Sequence, residues 1–245
     1  MKILVTGLGR SGNHPIIHWI MAHYKEEFLH LNGLMYRSKD ARIRKSNRIF
    51  RDGKEIRGKV LEEYLGKVLG TKEEPDNVLF SCENQSIPNS QETYNKYFDE
   101  EPMRIVILRS YKNVMASRLK KYNDTGPQGK GWFKTDKVAR EIWCNHARQI
   151  LITSPWFVIK YDLWCTSENY RRSLERKLNL KKNVDGDLDF IPLDGGGSSF
   201  DRRKGQSGLE LARKANKRHL EITLPEEVEN DKVCINLSNI IFGEL

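Results

Sequence analysis

The sequence has little of what marks several protein classes. Its 245 residues include only four cysteines, Cys82, Cys144, Cys165 and Cys234, widely spaced and without a C-x-x-C pair. That spacing argues against a zinc ribbon or a disulfide framework and predicts reduced thiols. No apolar run reaches membrane length and the mean hydropathy is -0.66, so no transmembrane span is expected. No secretory leader precedes the first predicted strand, Lys2 to Thr6, which makes a cytoplasmic location the expectation. Disorder is equally ill-suited, because 38% of the residues are hydrophobic. The length fits a single domain over residues 1–245 with a sizeable core.

Acidic residues are the minority: 33 Asp and Glu stand against 42 Lys and Arg, a formal net charge of +9. A basic chain suits nucleic acid, an anionic membrane surface or a polyanionic small molecule, and composition does not choose among them. The charge is unevenly spread. Between Arg37 and Lys59 there are ten basic and three acidic residues, a local net charge of +7. This stretch reads either as a solvated amphipathic face or as an insertion that draws in an anionic acceptor.

Short apolar runs alternate with helical periodicity. Lys2–Thr6, Val78–Phe80, Arg104–Leu108 and Trp156–Tyr161 read as buried strands. Helices are predicted after Pro15 and over Val60–Leu69, Asn113–Tyr122, Val138–Leu151 and Tyr170–Leu178. Residues 123–134 read as a flexible loop and Gly195–Ser199 as flexible punctuation before a basic C-terminal element. The alternation predicts an α/β fold: three layers, with a central parallel β-sheet flanked by helices and right-handed crossovers.

The most informative segment is Thr6-Gly-Leu-Gly-Arg-Ser-Gly-Asn-His14, where a strand hands over to a helix. Backbone N–H groups there, added to the positive end of the helix, make an anion cradle. Gly7 to Gly12 has the spacing of the first half of a Walker A loop, but Asn13-His14 stands where Lys and Ser/Thr belong. Without that hydroxyl the usual Mg²⁺ ligand is missing. The frame also reads literally as G-x-G-x-x-G, yet no acidic residue ends a second strand where His30 to Asn32 fall, so a dinucleotide site fits less well. What remains is a loop carrying a cation, Arg10, suited to a phosphate or sulfate ester without obligatory metal.

This loop resembles the 5′-phosphosulfate-binding loop of sulfotransferases that use 3′-phosphoadenosine 5′-phosphosulfate (PAPS). Three further segments follow in the order that family uses. Arg104-Ile-Val-Ile-Leu-Arg109, with Ser117 eight residues on, resembles its 3′-phosphate segment. Val158-Ile-Lys-Tyr161-Asp-Leu resembles a strand ending in Tyr-Glu-Asp-Leu, whose Tyr contributes to the adenine pocket. Arg203-Lys204-Gly205-Gln-Ser-Gly208, within a C-terminal closing segment 195–208, resembles the late R-K-G-x-x-G signature that closes over the cofactor phosphates. The resemblance implies the P-loop-containing nucleotide-hydrolase-like sulfotransferase fold. It implies PAPS as co-substrate and 3′-phosphoadenosine 5′-phosphate (PAP) as product, bound by Gly9, Arg10, Ser11, Gly12, Asn13, His14, Arg109, Ser117, Tyr161, Arg203, Lys204 and Gly205, with no metal.

Taken singly, each of these residues has a plainer reading. Arg109 could be a strand-end ion pair, Ser117 a small packing residue, Tyr161 core filling, and Arg203 with Lys204 a solvated cluster.

Sulfuryl transfer also needs a base for the acceptor's proton. Where many family members carry a His, this chain reads Ser81-Cys-Glu83-Asn-Gln-Ser86. Branches acting on glycans or tyrosine use a Glu, so Glu83 is the first candidate, with a strand-end carboxylate paired to an Arg as the plainer alternative. His14 is the rival, because the helix N-terminus sets it beside the transferring group and would hold it neutral. Together with Arg10 these form the expected catalytic set. The resemblance implies a small-molecule or glycan acceptor bearing a hydroxyl or amine, with its site expected among residues 37–59, 85–90 and 123–134. No nucleic acid is required as a partner. The alternatives are a P-loop kinase-like phosphotransferase using ATP, or a non-catalytic basic protein that binds nucleotide or nucleic acid.

Overall fold

The computed structural model describes residues 1–23, 28–32, 48–51, 54–56, 77–125, 136–152, 155–180, 214 and 216–243. The predicted helix at 60–69 and the segment 195–208, with Arg203, Lys204 and Gly205, lie outside these residues.

Seven strands form one sheet: β1 (Lys2–Gly7), β2 (Phe28–Asn32), β3 (Arg48–Arg51), β4 (Lys54–Ile56), β5 (Asn77–Glu83), β6 (Met103–Leu108) and β7 (Phe157–Lys160). Their spatial order is β4-β3-β2-β5-β1-β6-β7. The five strands β2, β5, β1, β6 and β7 are all parallel. The sheet is therefore parallel at its centre but not throughout, since β3 and β4 add an antiparallel hairpin beyond β2. That hairpin falls inside the basic 37–59 stretch.

The helices are α1 (Asn13–Ala22), α2 (Ile87–Asn95), α3 (Tyr111–Thr125), α4 (Asp136–Leu151), α5 (Tyr161–Thr166), α6 (Glu168–Lys177), α7 (Glu226–Glu229) and α8 (Lys232–Phe242). β1 shows why both faces of the sheet need covering. Ile3 and Val5 pack with Ile16, Ile17 and Ile20 of α1 and with Trp164 and Leu174 of α5 and α6. Leu4 instead joins Phe80, Ile87, Tyr94 and Phe98 on the side of α2. A strand buried on both faces is apolar without alternation, the pattern its sequence carries. Beyond the carboxyl ends, Leu8, Leu108 and Tyr111 pack with Trp143 of α4 and Cys234 and Ile241 of α8.

Some elements differ from the sequence reading. α3 starts at Tyr111 and runs to Thr125, three residues into the segment read as a loop from 123; residues 126–134 lie outside the described ones. Residues 87–90, read as part of an acceptor loop, are the first turn of α2: Pro88 suits that turn, and the Ser86 hydroxyl accepts the Asn89 N–H at 3.3 Å. Tyr161 opens α5 rather than ending β7. Among the described residues no helix is long and apolar enough to cross a membrane. The four cysteines are buried free thiols, but Cys144 and Cys234 meet in space, with their Sγ atoms 3.0 Å apart between α4 and α8.

From β1 the chain runs out to β2, returns through β5, and then crosses to β6 and β7 on the other side of β1. The direction of winding thus reverses at β1 and β6, where open α/β sheets form a crevice outside their carboxyl ends.

Candidate functional site

The loop Leu8–Gly12 leaves β1 at that reversal and enters α1 through a left-handed Gly12, φ 86°. No acidic residue lies in the first turn of α1 and no side chain caps it, so its positive end is uncompensated from within the helix. Two features require the glycines. A Cβ at Gly7 would collide with the Asn13 side chain, and one at Gly12 with the ring of Tyr161. Of the backbone amides expected to cradle an anion, the Ser11 N–H is spent within the loop on the Leu8 carbonyl at 3.0 Å. The Ser11 hydroxyl is fully buried and has no hydrogen-bond partner among the described residues.

Arg10, itself at φ 80°, carries its guanidinium across to α3, where Nε donates to the Ser117 Oγ at 3.4 Å. Arg109, only 5% exposed, donates from Nη1 to the Arg10 carbonyl at 3.3 Å and lies 5.3 Å above the Tyr161 ring. Residues from positions 10, 109, 117 and 161 thus form one cluster. Burial lowers the Arg10 pKa, the nearby Arg109 charge lowers it further, and Glu83 and Tyr161 oppose the shift. A buried guanidinium whose charge is disfavoured by a neighbouring one is an arrangement an anion would relieve.

The backbone around Arg109 is held firmly. Its carbonyl accepts the Trp143 indole N–H at 2.8 Å, and the next residue, Ser110, donates its N–H to Asp162 Oδ2 at 2.7 Å and its hydroxyl to Oδ1 at 3.2 Å. Burial raises the Asp162 pKa, while Arg109 and the Ser110 hydrogen bonds pull it back down. Asn113 ties this strand end to the C-terminal region, donating to the Asn216 carbonyl at 2.6 Å and accepting the His219 N–H at 3.1 Å.

Glu83 stands on the other flank of the loop, at the end of β5 and in register with Gly7. Its Oε1 accepts from Asn13 Nδ2 at 2.8 Å and lies 3.7 Å from His14 Nε2, with both side chains of the Glu83–His14 pair partly buried. The two candidate bases are therefore neighbours. Among the described residues Glu83 hydrogen-bonds Asn13 and lies beside His14, and its charge also acts on Arg10.

The structure thus gathers Gly9, Arg10, Ser11, Gly12, Asn13, His14, Glu83, Arg109, Ser117 and Tyr161 around one loop, while Arg203, Lys204 and Gly205 fall outside the described residues. Sequence reading missed Asn84, Arg118 and Asp162. Asp162 follows Tyr161 within a segment already singled out, and Arg118 follows Ser117, so adjacency was the available signal. Among the described residues no cluster of His, Cys, Asp and Glu could hold a metal ion. No family model, curated protein or solved structure matches this chain.

Proposed function

We propose that this protein transfers a sulfuryl group from PAPS to a hydroxyl or amine acceptor, a small molecule or a carbohydrate, and releases PAP. The observation that carries the reading is the meeting of Arg10, Arg109 and Ser117 across the glycine loop, with Glu83 on the loop's opposite flank. The left-handed Gly12 and the uncompensated positive end of α1 suit an anion at the same place. Arg203, Lys204 and Gly205 are assigned to the same ligand on the sequence resemblance alone.

In the reaction the sulfur exchanges its bond to the phosphate-bridging oxygen for one to the acceptor, and that oxygen leaves with PAP. The chain's share is positioning and charge. Arg10 and the positive end of α1 hold the 5′ anion, and Arg109 with Ser117 holds the 3′-phosphate. Glu83 takes the acceptor's proton. The Asn13 amide occupies its Oε1 and fixes the carboxylate plane, which leaves the second oxygen for the proton. His14, beside both groups, supplies a donor toward the developing charge. The Walker-type alternative is disfavoured because Asn13 and His14 occupy the positions of its Lys and hydroxyl residues.

The test compares thermal stabilisation by PAP with that by ATP and Mg²⁺, followed by PAP release from PAPS with carbohydrate acceptors. Stabilisation by PAP at micromolar concentration is expected, because a ligand specific for the native state raises its stability. A response to ATP with Mg²⁺ and none to PAP would sink the reading.

A further inference from the structure

The turn that follows Glu83 contains a conformation that β5 does not by itself require. Asn84 lies at φ 60°, in the left-handed region that non-glycine residues rarely occupy unless their surroundings hold them there. Here the surroundings do so from three elements. The Asn84 N–H donates to the Gly7 carbonyl at 3.1 Å. Its Oδ1 accepts the Gly9 N–H at 3.0 Å and Arg118 Nη1 at 3.3 Å; both neighbours are donors, which fixes the amide's orientation. Arg118, buried on α3, reaches the Gly9 carbonyl from the same Nη1 at 3.3 Å. One residue on, the Gln85 carbonyl accepts from His146 Nε2 of α4 at 2.7 Å.

Both polar groups of Gly9 are therefore held by Asn84 and Arg118, and its N–H is spent on the Asn84 side chain. Arg10 follows directly, and its left-handed φ of 80° means that two unfavourable backbone positions face each other across this clamp. Sheet pairing sets Glu83 opposite Gly7, but it does not govern the loop beyond Gly7. The bonds from Asn84 do.

We infer that Asn84 is a positioning residue that locks the anion loop onto the strand end carrying Glu83, so that Arg10 and Glu83 keep one fixed separation. The inference rests on the reading of the loop as the donor site and of Glu83 as the base. Asn is suited to the task because it tolerates the left-handed conformation and still offers an acceptor. Asp would do the same, whereas Gly would keep the backbone freedom and lose the clamp.

Two measurements test it. The PAP dissociation constant is measured for Asn84→Gly and Asn84→Asp well below the melting temperature of each. Asn84→Gly is expected to bind PAP at least tenfold more weakly and Asn84→Asp within about threefold of the parent chain. A residue that only stabilised the fold would lower the melting temperature and leave the affinity of the folded protein unchanged, and that result would overturn the inference. Arg118→Gln, which removes the second arm of the clamp, is expected to weaken PAP in the same direction and serves if Asn84→Gly does not fold.

The second measurement needs no ligand. Amide hydrogen exchange over residues 7–14 and 83–86 is expected to quicken together in Asn84→Gly and to stay near the parent rates in Asn84→Asp. Unchanged exchange in both segments would overturn the clamp even if PAP binds. Failure of the parent chain to bind PAP would instead overturn the donor reading and leave the exchange result to decide the clamp.

Discussion

Gly12 and the ring of Tyr161 leave no room for a side chain between them: a Cβ on Gly12 would enter the ring, and the Gly12 backbone is left-handed at φ 86°. Two sequence segments about 150 positions apart thus share one surface of the loop. Gly12→Ala meets both obstacles. An L-residue in that conformation costs roughly 1–2 kcal/mol, and the ring must also move. Loss of at least tenfold in PAP affinity is expected, read by titration calorimetry, with the strain visible as a lower melting temperature. Unchanged affinity would mean that the loop–ring contact does not shape the ligand site.

Arg109 has two roles in the proposed reading, because its guanidinium holds the Arg10 carbonyl and is also assigned to the 3′-phosphate. Arg109→Ala should therefore weaken both AMP and PAP, the first through the loop and the second through the 3′-phosphate as well. The expected signature is a loss for PAP at least tenfold greater than the loss for AMP, consistent with removing a charge-assisted hydrogen bond. The same comparison on Arg203→Ala tests the C-terminal segment. Equal losses for the two nucleotides would refute the 3′-phosphate assignment.

The order of effects at Glu83 and His14 separates the two candidate bases, which lie 3.7 Å apart. With Glu83 as base, Glu83→Gln should lower turnover by about 10²–10⁴-fold and leave PAP binding near that of the parent. His14→Gln should cost less in turnover and more in PAP affinity. The reverse order would make His14 the base and Glu83 the group that orients it.

These positions differ in how far the sequence revealed them, and the difference is physical. β1, the glycine loop and β6 could be read because they are carried by local signals: an unbroken apolar run, or glycines at a handover between strand and helix. β5 extends beyond its apolar run to Glu83 through backbone pairing with β1, and its Ser81 hydroxyl finds partners on β2, accepting from His30 Nε2 at 3.0 Å and donating to Asn32 at 3.2 Å. Such partners lie about 50 residues away and leave no local trace. Asn84 looks like an ordinary turn residue until Gly9, 75 positions earlier, supplies the N–H that it accepts. Cys144 and Cys234 carry the same lesson, since 90 positions of separation concealed a contact. Asp162 was half-legible: its segment was recognised, but its role in holding Ser110 appears only in three dimensions.

Asp162 is expected to matter to the fold before it matters to the reaction. It accepts the Ser110 N–H and hydroxyl and the Asn113 amide while buried at the carboxyl end of the sheet. Asp162→Ala would leave those donors without their acceptor, at a cost of roughly 1–3 kcal/mol for each one left unsatisfied. Asp162→Asn keeps the volume but brings an amide donor against existing donors. Urea unfolding should show Asp162→Ala destabilised by several kcal/mol, and a change below about 1 kcal/mol would show that water or repacking satisfies the group instead.

His146 gives the protein a predictable response to acid. It is fully buried on α4, its Nε2–H donates to the Gln85 carbonyl at 2.7 Å, and burial pushes its pKa down from 6.5 to about 4. Between those two values the unfolded chain binds a proton at this residue and the folded chain does not. Stability from this source is therefore fully present above about pH 6.5 and is lost as pH falls toward 4, by about 3 kcal/mol in all. His146→Gln retains an N–H donor for the Gln85 carbonyl and cannot titrate. Urea unfolding of both proteins between pH 7 and 4.5 should show a shallower decline for His146→Gln, with the two curves converging as pH falls. Parallel curves would mean that His146 is protonated in the folded state or reached by water. The residue also holds the turn that carries Asn84, so acid should loosen the loop before the sheet. Amide exchange at residues 83–86 would then rise with falling pH in the parent chain and stay nearly flat in His146→Gln.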